Sequence, residues 1–143
     1  MNIRIKRFDK EVALPKHQTD GAAGLDLAAR ETVIIEPHAV GYVPLNIAAQ
    51  APDGYFILLT ARSSLHKKGL LPANGVGIID SDYSGDNDEI KAALLNFTDK
   101  PVTVEKGDRV MQAIFVKYER ADWEEVDAMP NKTRGGFGST GSK

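Results

Sequence analysis

Residues 74–85 have the sequence Asn-Gly-Val-Gly-Ile-Ile-Asp-Ser-Asp-Tyr-Ser-Gly, the most informative stretch of the chain. Asn-Gly is a strong turn signal, and the apolar run after it predicts a short buried strand over residues 76–80. The run ends at Asp80, so we expect this carboxylate to be partly removed from water and able to act as a general base on water. The alternative is that Asp80 only begins a surface turn.

The same stretch also fits the first half of an EF-hand calcium loop, because polar side chains alternate from Asp80 onward. That loop needs a bidentate glutamate at its twelfth position, where this chain has Lys91. It also needs flanking helices, whereas both flanks here are strand-like. The pattern therefore does not favour a calcium site.

The composition narrows the possible classes of function. The chain has 143 residues, enough for one domain with an adequate core, and a formal net charge of −2, which provides no basic field for nucleic acid. It has no cysteine, which excludes disulfides, thiol catalysis and cysteine-ligated zinc. No apolar run approaches the ~20 residues of a membrane helix and no signal core is present, so we expect a cytoplasmic protein without a membrane partner.

Short apolar or alternating runs, interrupted by glycine and proline, predict many short strands. The run over 89–97 is predicted to form a hairpin with residues 76–80. In the charged segment near the end of the chain, Trp123 and Val126 are the expected apolar anchors. The predicted strands are 2–7, 32–36, 40–47, 54–60, 76–80, 89–97, 102–104 and one that follows Gly107.

Two upstream stretches carry charged and hydroxyl side chains, and the second of them suits a phosphate. Asp26 lies between two leucines in Ala-Gly-Leu-Asp-Leu-Ala (23–28), so it must point to the opposite face of its strand. Arg-Ser-Ser (62–64) leads into a predicted short helix closed by Gly69. A serine there can cap the helix, while the arginine, hydroxyls and free N–H groups can bind phosphate. An exposed edge aspartate and a capped, solvated basic turn explain the same residues without a ligand.

Two downstream stretches add an amide and a glycine-rich end. After the turn in Gly-Asp-Arg-Val-Met-Gln (107–112), the strand is predicted to bury Val110, Gln112 and Ile114 on one face, where the amide needs hydrogen-bond partners. The chain ends in Arg-Gly-Gly-Phe-Gly-Ser-Thr-Gly-Ser-Lys (134–143), whose backbone N–H groups can close around phosphate oxygens. A terminus of this composition is otherwise expected to be disordered.

Taken in chain order, the five stretches resemble the five motifs of the trimeric dUTPases. They touch the chain from residue 23 to residue 141, and residues 74–85 match the third motif. The resemblance implies an all-β, distorted jelly-roll or β-clip barrel with one short helix over residues 1–130. Residues 131–143 would be a flexible glycine-rich arm, exchanged in a homotrimer whose three sites lie between subunits. The implied reaction is hydrolysis of dUTP to dUMP and pyrophosphate with Mg²⁺ as cofactor, which lowers dUTP and supplies dUMP for dTMP synthesis.

The resemblance also implies roles for single residues. Asp80 would be the catalytic base, and Asp26 would hold the water ligands of Mg²⁺. Tyr83 would pack against the deoxyribose, and Asn74 would assist backbone groups in binding uracil. The implied substrate-binding residues are Arg62, Ser63, Ser64, Asn74, Gly77, Ile79, Tyr83, Lys91, Gln112, Arg134, Phe137, Gly138, Ser139 and Thr140.

The arm departs from the family pattern in one respect. The family usually has its arginine five residues before the phenylalanine, whereas Arg134 precedes Phe137 by three residues and Lys132 precedes it by five. The γ-phosphate is therefore expected to contact Arg134, or Lys132 shares that role.

Two other functions remain open. The Ser-Ser form of the second motif also occurs in the related dCTP deaminases, which can be bifunctional. Those enzymes typically have Ile-Asp-Pro-Gly at the central turn and a catalytic glutamate on the next strand, whereas this chain has Ser-Asp-Tyr at 81–83 and no acid over 92–95. The second alternative is a nucleotide-gated module that binds another protein, for which the acidic tip over 86–89 is the only hint.

Overall fold

The computed structural model describes residues 1–137, which form eleven strands and one short 3-10 helix over Leu65–Lys68. The strands are short because turn-forming residues interrupt each apolar run. In chain order they are β1 (Arg4–Arg7), β2 (Leu25–Ala28), β3 (Val33–Ile35), β4 (Val40–Pro44), β5 (Ile47–Gln50), β6 (Tyr55–Ala61), β7 (Leu70–Pro72), β8 (Gly77–Ile79), β9 (Lys91–Asn96), β10 (Val102–Val104) and β11 (Arg109–Lys117).

The strands form two main sheets and two ribbons, and all pairs are antiparallel. The larger sheet has the order β2–β11–β6–β8, and the smaller sheet has the order β4–β9–β7. The ribbons are β1–β5 and β3–β10. Strands that are distant in sequence are neighbours in both sheets, as in jelly-roll arrangements. The all-β fold predicted from the sequence is therefore confirmed.

Apolar side chains from all the sheets meet in one core, whose burial is the main source of stability. This core fixes β2, β6 and β11 against one another, so polar residues on their outer faces and at their ends are held in place. The largest fully buried apolar side chains are Leu27, Ile35, Leu45, Ile57, Leu70, Ile90, Leu94, Met111, Val43, Val104 and Val110.

The predicted hairpin between residues 76–80 and 89–97 is wrong. β8 pairs with β6 in the larger sheet, whereas β9 lies between β4 and β7 in the smaller sheet. The residues between β8 and β9 therefore cross from one sheet to the other. A pattern of apolar residues specifies that a strand forms, but its partner depends on which sheet can bury its apolar face.

β8 is an edge strand and is mostly exposed in the single chain. Gly77 is buried, but Val76 and Ile78 are 45% and 55% exposed. The prediction of a buried strand is therefore wrong for one chain, because no second layer covers this edge. An exposed, apolar sheet edge is a surface that another chain can cover.

A β-bulge between Arg109 and Met111 changes which side chains of β11 face the core. Because of the bulge, Val110 and Met111 are both buried, and the alternation then continues with Ala113. Gln112 lies on the opposite face of the strand and is half-buried. The prediction that Gln112 faces inward with Val110 is therefore wrong, since a bulge reverses the alternation beyond it.

The chain leaves the packed part of the molecule at the end of β11. Tyr118 still contacts Phe56 edge-to-face, with ring centroids 6.0 Å apart, but residues 117–137 are exposed. Trp123 is 95% exposed and Val126 is 50% exposed, so neither anchors the segment within one chain, contrary to the prediction. Within residues 1–137, no helix has the length and apolar character needed to span a membrane.

Candidate active site

A cleft of about 260 Å³ opens where β2, β6 and β11 lie side by side. Asp26 on β2 and Gln112 on β11 are directly paired across the two strands, and Arg62 follows the end of β6. The cleft thus unites residues from three of the predicted motifs. Its lining consists of Gln18, Ala22, Ala23, Gly24, Asp26, Arg62, Ser63 and Gln112.

Asp26 is the most enclosed charge of this cleft, with a side chain only 11% exposed. Its Oδ2 lies 3.1 Å from Nε of Arg62 and 3.2 Å from Nη1 of Arg109. Neither contact has hydrogen-bond geometry, so Oδ2 is buried without a hydrogen-bond donor. Two guanidinium groups around one carboxylate leave an excess of positive charge, which suits a phosphate. Arg109 belongs to the Gly-Asp-Arg-Val-Met-Gln stretch, but the pattern of that stretch did not indicate that Arg109 pairs with Asp26.

Whether Mg²⁺ fits this cleft depends on the metal ligands that the cleft offers near Asp26. Among residues 1–137, no group of three or more His, Asp or Glu side chains is placed to hold a metal ion. A single carboxylate, whose Oδ2 accepts no hydrogen bond, matches an ion that keeps most of its waters and takes its direct ligands from phosphates, as Mg²⁺ does. The residues present therefore fit a Mg²⁺ held through its water ligands.

Gln112 is fixed in the cleft by close contact with Gly24. Its Nε2 donates a hydrogen bond of 3.0 Å to the carbonyl oxygen of Ala61. A Cβ added to Gly24 would lie 2.6 Å from Oε1 of Gln112, so the amide would have to leave its present place. The glycine of the first motif and the glutamine of the fourth are thus one structural unit.

The segment after Arg62 forms a 3-10 helix, not an α-helix. Ser64 occupies the N-cap position without a side-chain capping bond, so the predicted serine cap is wrong. The N–H of Leu65 bonds to the carbonyl of Arg62 at 3.0 Å, which leaves fewer free N–H groups than expected. Gly69 closes the helix in the left-handed region (φ 82°), as predicted. Ser63 and Ser64 are both exposed.

The Asn-Gly turn lies between β7 and β8. Gly75 has a φ of 71°, and its N–H donates to the carbonyl of Pro72 at 3.1 Å. Asn74 is exposed. Because β8 is an edge strand, part of the backbone of Gly77–Ile79 is free to bond to a ligand. Lys91 stands at the start of β9, in the neighbouring sheet.

Asp80 follows β8 and is exposed in the single chain. The predicted partial burial of this carboxylate is therefore wrong for one chain, for the same reason that β8 is uncovered. Asp80 lines a second cleft, of about 590 Å³, together with Phe56 and Tyr118. No helix flanks the turn after Asp80 within the described residues. Because an EF-hand loop requires a helix on each side, the turn is not a calcium loop of that kind.

Asp80 and Arg62 do not meet within one chain. Ile79 pairs with Ile57, so Asp80 lies beside Phe56 near the start of β6. Arg62 follows the other end of β6, so the two residues are about 20 Å apart at roughly 3.3 Å per residue. A general base and a phosphate-binding arginine so far apart cannot act on one phosphate unless they come from different chains.

The predicted arm residues lie at or beyond the limit of the described chain. Lys132, Arg134 and Phe137 are exposed, and Phe137 has a φ of 49°. None of the three contacts either cleft in the described part of the chain. Gly138, Ser139 and Thr140 lie outside the described residues.

Two features bear on the alternative functions. β9 has the sequence Lys-Ala-Ala-Leu-Leu-Asn, so it carries no acid where a dCTP deaminase would have its catalytic glutamate. The acidic tip is largely used within the chain, because Asp88 accepts the N–H of Gly85 at 2.7 Å and Glu89 is buried. Asp86 pairs with Lys6. The hint of a protein-binding tip is correspondingly weakened.

Comparisons with known proteins agree with one another. The dUTPase family model matches residues 10–141. A deoxyuridine 5'-triphosphate nucleotidohydrolase from Helicobacter pylori strain 26695 is 39% identical over 99% of this chain and 97% of its own length. A protein of the same name from Hydrogenobaculum sp. is 40% identical over the full length of both chains.

Solved structures agree on the fold. The crystal structure of a dUTPase from Streptococcus mutans has a TM-score of 0.77 and 36% identity, covering 86% of this chain and all of that chain. The dUTPase of Staphylococcus bacteriophage 80alpha, solved with dUPNHPP, has a TM-score of 0.85 over 98% of both chains, and at 24% identity it bears on the fold alone. The extent of the family match and the identity of the relatives lead to one conclusion: this chain belongs to the dUTPase family of dUTP diphosphatases.

Proposed function

We propose that this protein hydrolyses dUTP to dUMP and pyrophosphate, a reaction that lowers dUTP and supplies dUMP for dTMP synthesis. The observation that carries the proposal is the cleft lined by Arg62, Gln112 and the buried carboxylate of Asp26, in a member of the dUTPase family. The name shared by relatives at 39% and 40% identity supports dUTP as the substrate.

The catalytic unit in this proposal is a homotrimer with sites between chains. The distance between Asp80 and Arg62 supports it, because a complete site needs both residues at one phosphate. The exposed apolar edge at β8 and the exposed Trp123 support it as well, since a neighbouring chain would remove both from water. One chain would supply the Asp80 segment, a second the Arg62 segment and a third the arm.

At the phosphate end, Arg62 with Ser63 and Ser64 would bind the α- and β-phosphates and the bridging oxygen. Gln112 would donate to the α-phosphate region from its place over Gly24. These are charged or dipolar donors aimed at oxygens on which charge develops, the kind of interaction that contributes most to phosphoryl transfer.

Asp26 would hold the water ligands of a Mg²⁺ bound to the triphosphate through its carboxylate, whose Oδ2 accepts no hydrogen bond. When bound, such an ion neutralises charge on the phosphates and keeps their oxygens in one geometry. The pairing of Asp26 with Arg62 then places the arginine beside the same phosphates, so one carboxylate positions two cations.

Asp80 is the proposed general base. Its carboxylate would orient a water molecule and take its proton while the water oxygen attacks the α-phosphorus opposite the bridging oxygen. The bond to that oxygen breaks, and pyrophosphate leaves. Although Asp80 is exposed in one chain, a neighbouring chain over β8 would exclude bulk water from it.

The uracil and the sugar would be bound by the segment around β8. Backbone groups of Gly77, Ile79 and Lys91, assisted by the Asn74 side chain, would match the uracil edge, and the amino group of cytosine would reverse one donor–acceptor pair. Such a mismatch leaves a buried polar group unpaired, which discriminates strongly. Tyr83 would pack against the deoxyribose where a ribose needs space for its 2'-hydroxyl.

Residues 131–143 would act as an arm that closes over the bound nucleotide. Phe137 would stack on the uracil, and closure would keep bulk water from the reacting phosphate. The exposure of Phe137 and of the residues before it supports such a role, because these side chains have no partner inside their own described chain. The proposed phosphate contacts of the arm are Arg134, Gly138, Ser139 and Thr140, with Lys132 as a second cation.

A substrate panel tests the proposed reaction. The protein is mixed with Mg²⁺ and each of dUTP, dTTP, dCTP, dATP and dGTP, and pyrophosphate and ammonia are measured. We expect pyrophosphate from dUTP alone and no ammonia from dCTP. Ammonia release would identify a deaminase instead, and no pyrophosphate from any nucleotide would contradict the proposal.

Mixed trimers test the shared site. Asp80→Asn and Arg62→Ala chains, each inactive alone, are unfolded, mixed in equal amounts and refolded. If the two residues act from different chains, about a quarter of the sites in randomly mixed trimers contain both intact groups, and activity returns to that level. If both residues acted from one chain, mixing would restore nothing. Each variant refolded alone is the matched control.

A further inference from the structure

Glu89 is a buried carboxylate at the end of the segment that carries Asp80 and Tyr83. Its side chain is 7% exposed and faces Arg30 in a two-point contact: Nε to Oε1 is 2.8 Å, and Nη2 to Oε2 is 3.2 Å. Oε1 also accepts the backbone N–H of Asn46 at 3.0 Å. The side chain is therefore held on both oxygens.

The partners of Glu89 are themselves fixed. Asn46 is 2% exposed and has a left-handed backbone (φ 68°). Its side chain accepts the N–H of Asp9 at 2.7 Å and donates to the carbonyl of Asp9 at 2.9 Å. The contact with Glu89 raises the pKa of Arg30 above its usual value. A buried polar network in which every member is bonded is rigid, so it fixes the backbone at Glu89.

Tyr83 is tied to this fixed backbone. Its hydroxyl donates a hydrogen bond of 3.2 Å to the carbonyl oxygen of Glu89, and its N–H donates to the carbonyl of Asp80 at 3.2 Å. Tyr83 is 42% exposed, so packing covers only part of the residue. The hydroxyl contact therefore adds a directional restraint on where the ring lies.

We propose that Glu89, held by Arg30 and Asn46, is a positioning residue for sugar selection. By fixing the carbonyl that receives the Tyr83 hydroxyl, Glu89 keeps the ring where a ribose 2'-hydroxyl would collide with it. Glu89 touches no substrate and acts through Tyr83. This inference rests on the proposed function, because it assumes that Tyr83 faces the sugar of a bound nucleotide.

The expected effect is on selectivity more than on turnover. Glu89→Gln keeps the shape of the side chain but removes its charge, so Arg30 loses its two-point ionic contact with residue 89 and the segment loosens. We expect the ratio of kcat/KM for dUTP to kcat/KM for UTP to fall about 10-fold or more, because a ring that can move no longer excludes the hydroxyl. A residue with a purely structural role would lower both values together and leave the ratio unchanged.

The experiment compares four variants by kinetics on both nucleotides and by thermal unfolding. They are Glu89→Gln, Tyr83→Phe, the two combined, and Lys6→Met as the control. Lys6 holds the same segment through Asp86 but has no contact with Tyr83. We expect the first two variants to lower the ratio, the double variant to lower it no further, and Lys6→Met to leave it unchanged, since residues that act through one contact are not additive.

Several results would overturn the inference. One is a wild-type ratio in folded Glu89→Gln, and another is a double variant whose effect is the product of the two single effects. A third is an equal fall in Lys6→Met, since any loosening of the segment would then be sufficient. If Glu89→Gln does not fold, Tyr83→Phe decides, because it leaves the buried pair intact: an unchanged ratio overturns the inference and a lowered ratio supports it.

Failure of the inference is distinguishable from failure of the proposed function. A wild-type protein that hydrolyses no dUTP contradicts the proposed function itself. A wild-type protein that hydrolyses dUTP and UTP equally well overturns the inference alone, because there is then no sugar selection to be set. The same holds if the wild type rejects UTP and every folded variant rejects it equally.

Discussion

Replacing Gly24 by alanine should disable the phosphate cleft and leave the barrel folded. The added Cβ would lie 2.6 Å from Oε1 of Gln112 and 3.2 Å and 3.3 Å from two of its carbons. The amide oxygen must therefore move by roughly 0.8 Å to reach an ordinary contact distance of 3.4 Å. The same movement breaks or lengthens the hydrogen bond from Gln112 to the carbonyl of Ala61.

The two consequences of that movement differ in size. A catalytic group displaced by about 1 Å can cost on the order of 100-fold in rate, so we expect kcat on dUTP to fall about 10- to 100-fold. The loss of one hydrogen bond should lower the free energy of unfolding by only about 1 kcal/mol. The variant should therefore lose most of its turnover while it remains folded at the assay temperature.

Gly21→Ala is the matched control, because it changes the same loop and its Cβ would meet nothing within 4 Å. Both variants are assayed for pyrophosphate release at saturating dUTP and Mg²⁺, and their thermal unfolding is followed by circular dichroism. Equal turnover by the two variants would refute the reasoning that Gly24 sets the position of Gln112. Unfolding of Gly24→Ala at the assay temperature would show that the contact serves the barrel more than the cleft.

Three further predictions follow from the site and the charges. Asp80→Asn should bind dUTP with unchanged affinity, measured by calorimetry, and lose at least ~100-fold in turnover, so near-normal turnover would exclude Asp80 as the base. Deletion of residues 134–143 should strongly lower kcat without changing the unfolding temperature. A truncated protein of normal activity would contradict the proposed role of the arm. The Nζ of Lys106, at 2.7 Å, together with the N–H of Glu11, holds the pKa of Asp9 below its usual value. Because the pKa of Asp9 is lower in the folded state, the ionised carboxylate stabilises that state fully above about pH 4, and this stabilisation is lost as the pH falls through the lowered pKa. The unfolding temperatures of wild type and Asp9→Asn should therefore converge below pH ~4. A difference that stays constant down to pH ~2 would contradict the pairing.

Local patterns in the amino-acid sequence were sufficient to predict the class of fold and most of the candidate site residues. Alternation and turn residues specified most of the strands, and the motif around Asp80 specified a carboxylate directly after a short apolar strand. These are local properties, because a strand pattern or a turn depends on neighbours within a few positions. The arginine, serines and glutamine of the cleft could be identified for the same reason.

The folded structure alone shows how those elements are arranged. It placed β8 beside β6 instead of β9, reversed the face of Gln112 through a bulge, and moved Glu89 from an expected acidic tip into a buried pair with Arg30. It also left Asp80 exposed and far from Arg62 in one chain. Strand partners and burial depend on contacts between residues distant in sequence, and the free energy of those contacts is a property of the whole packed core. A local sequence pattern therefore does not specify which strands pair or which residues are buried.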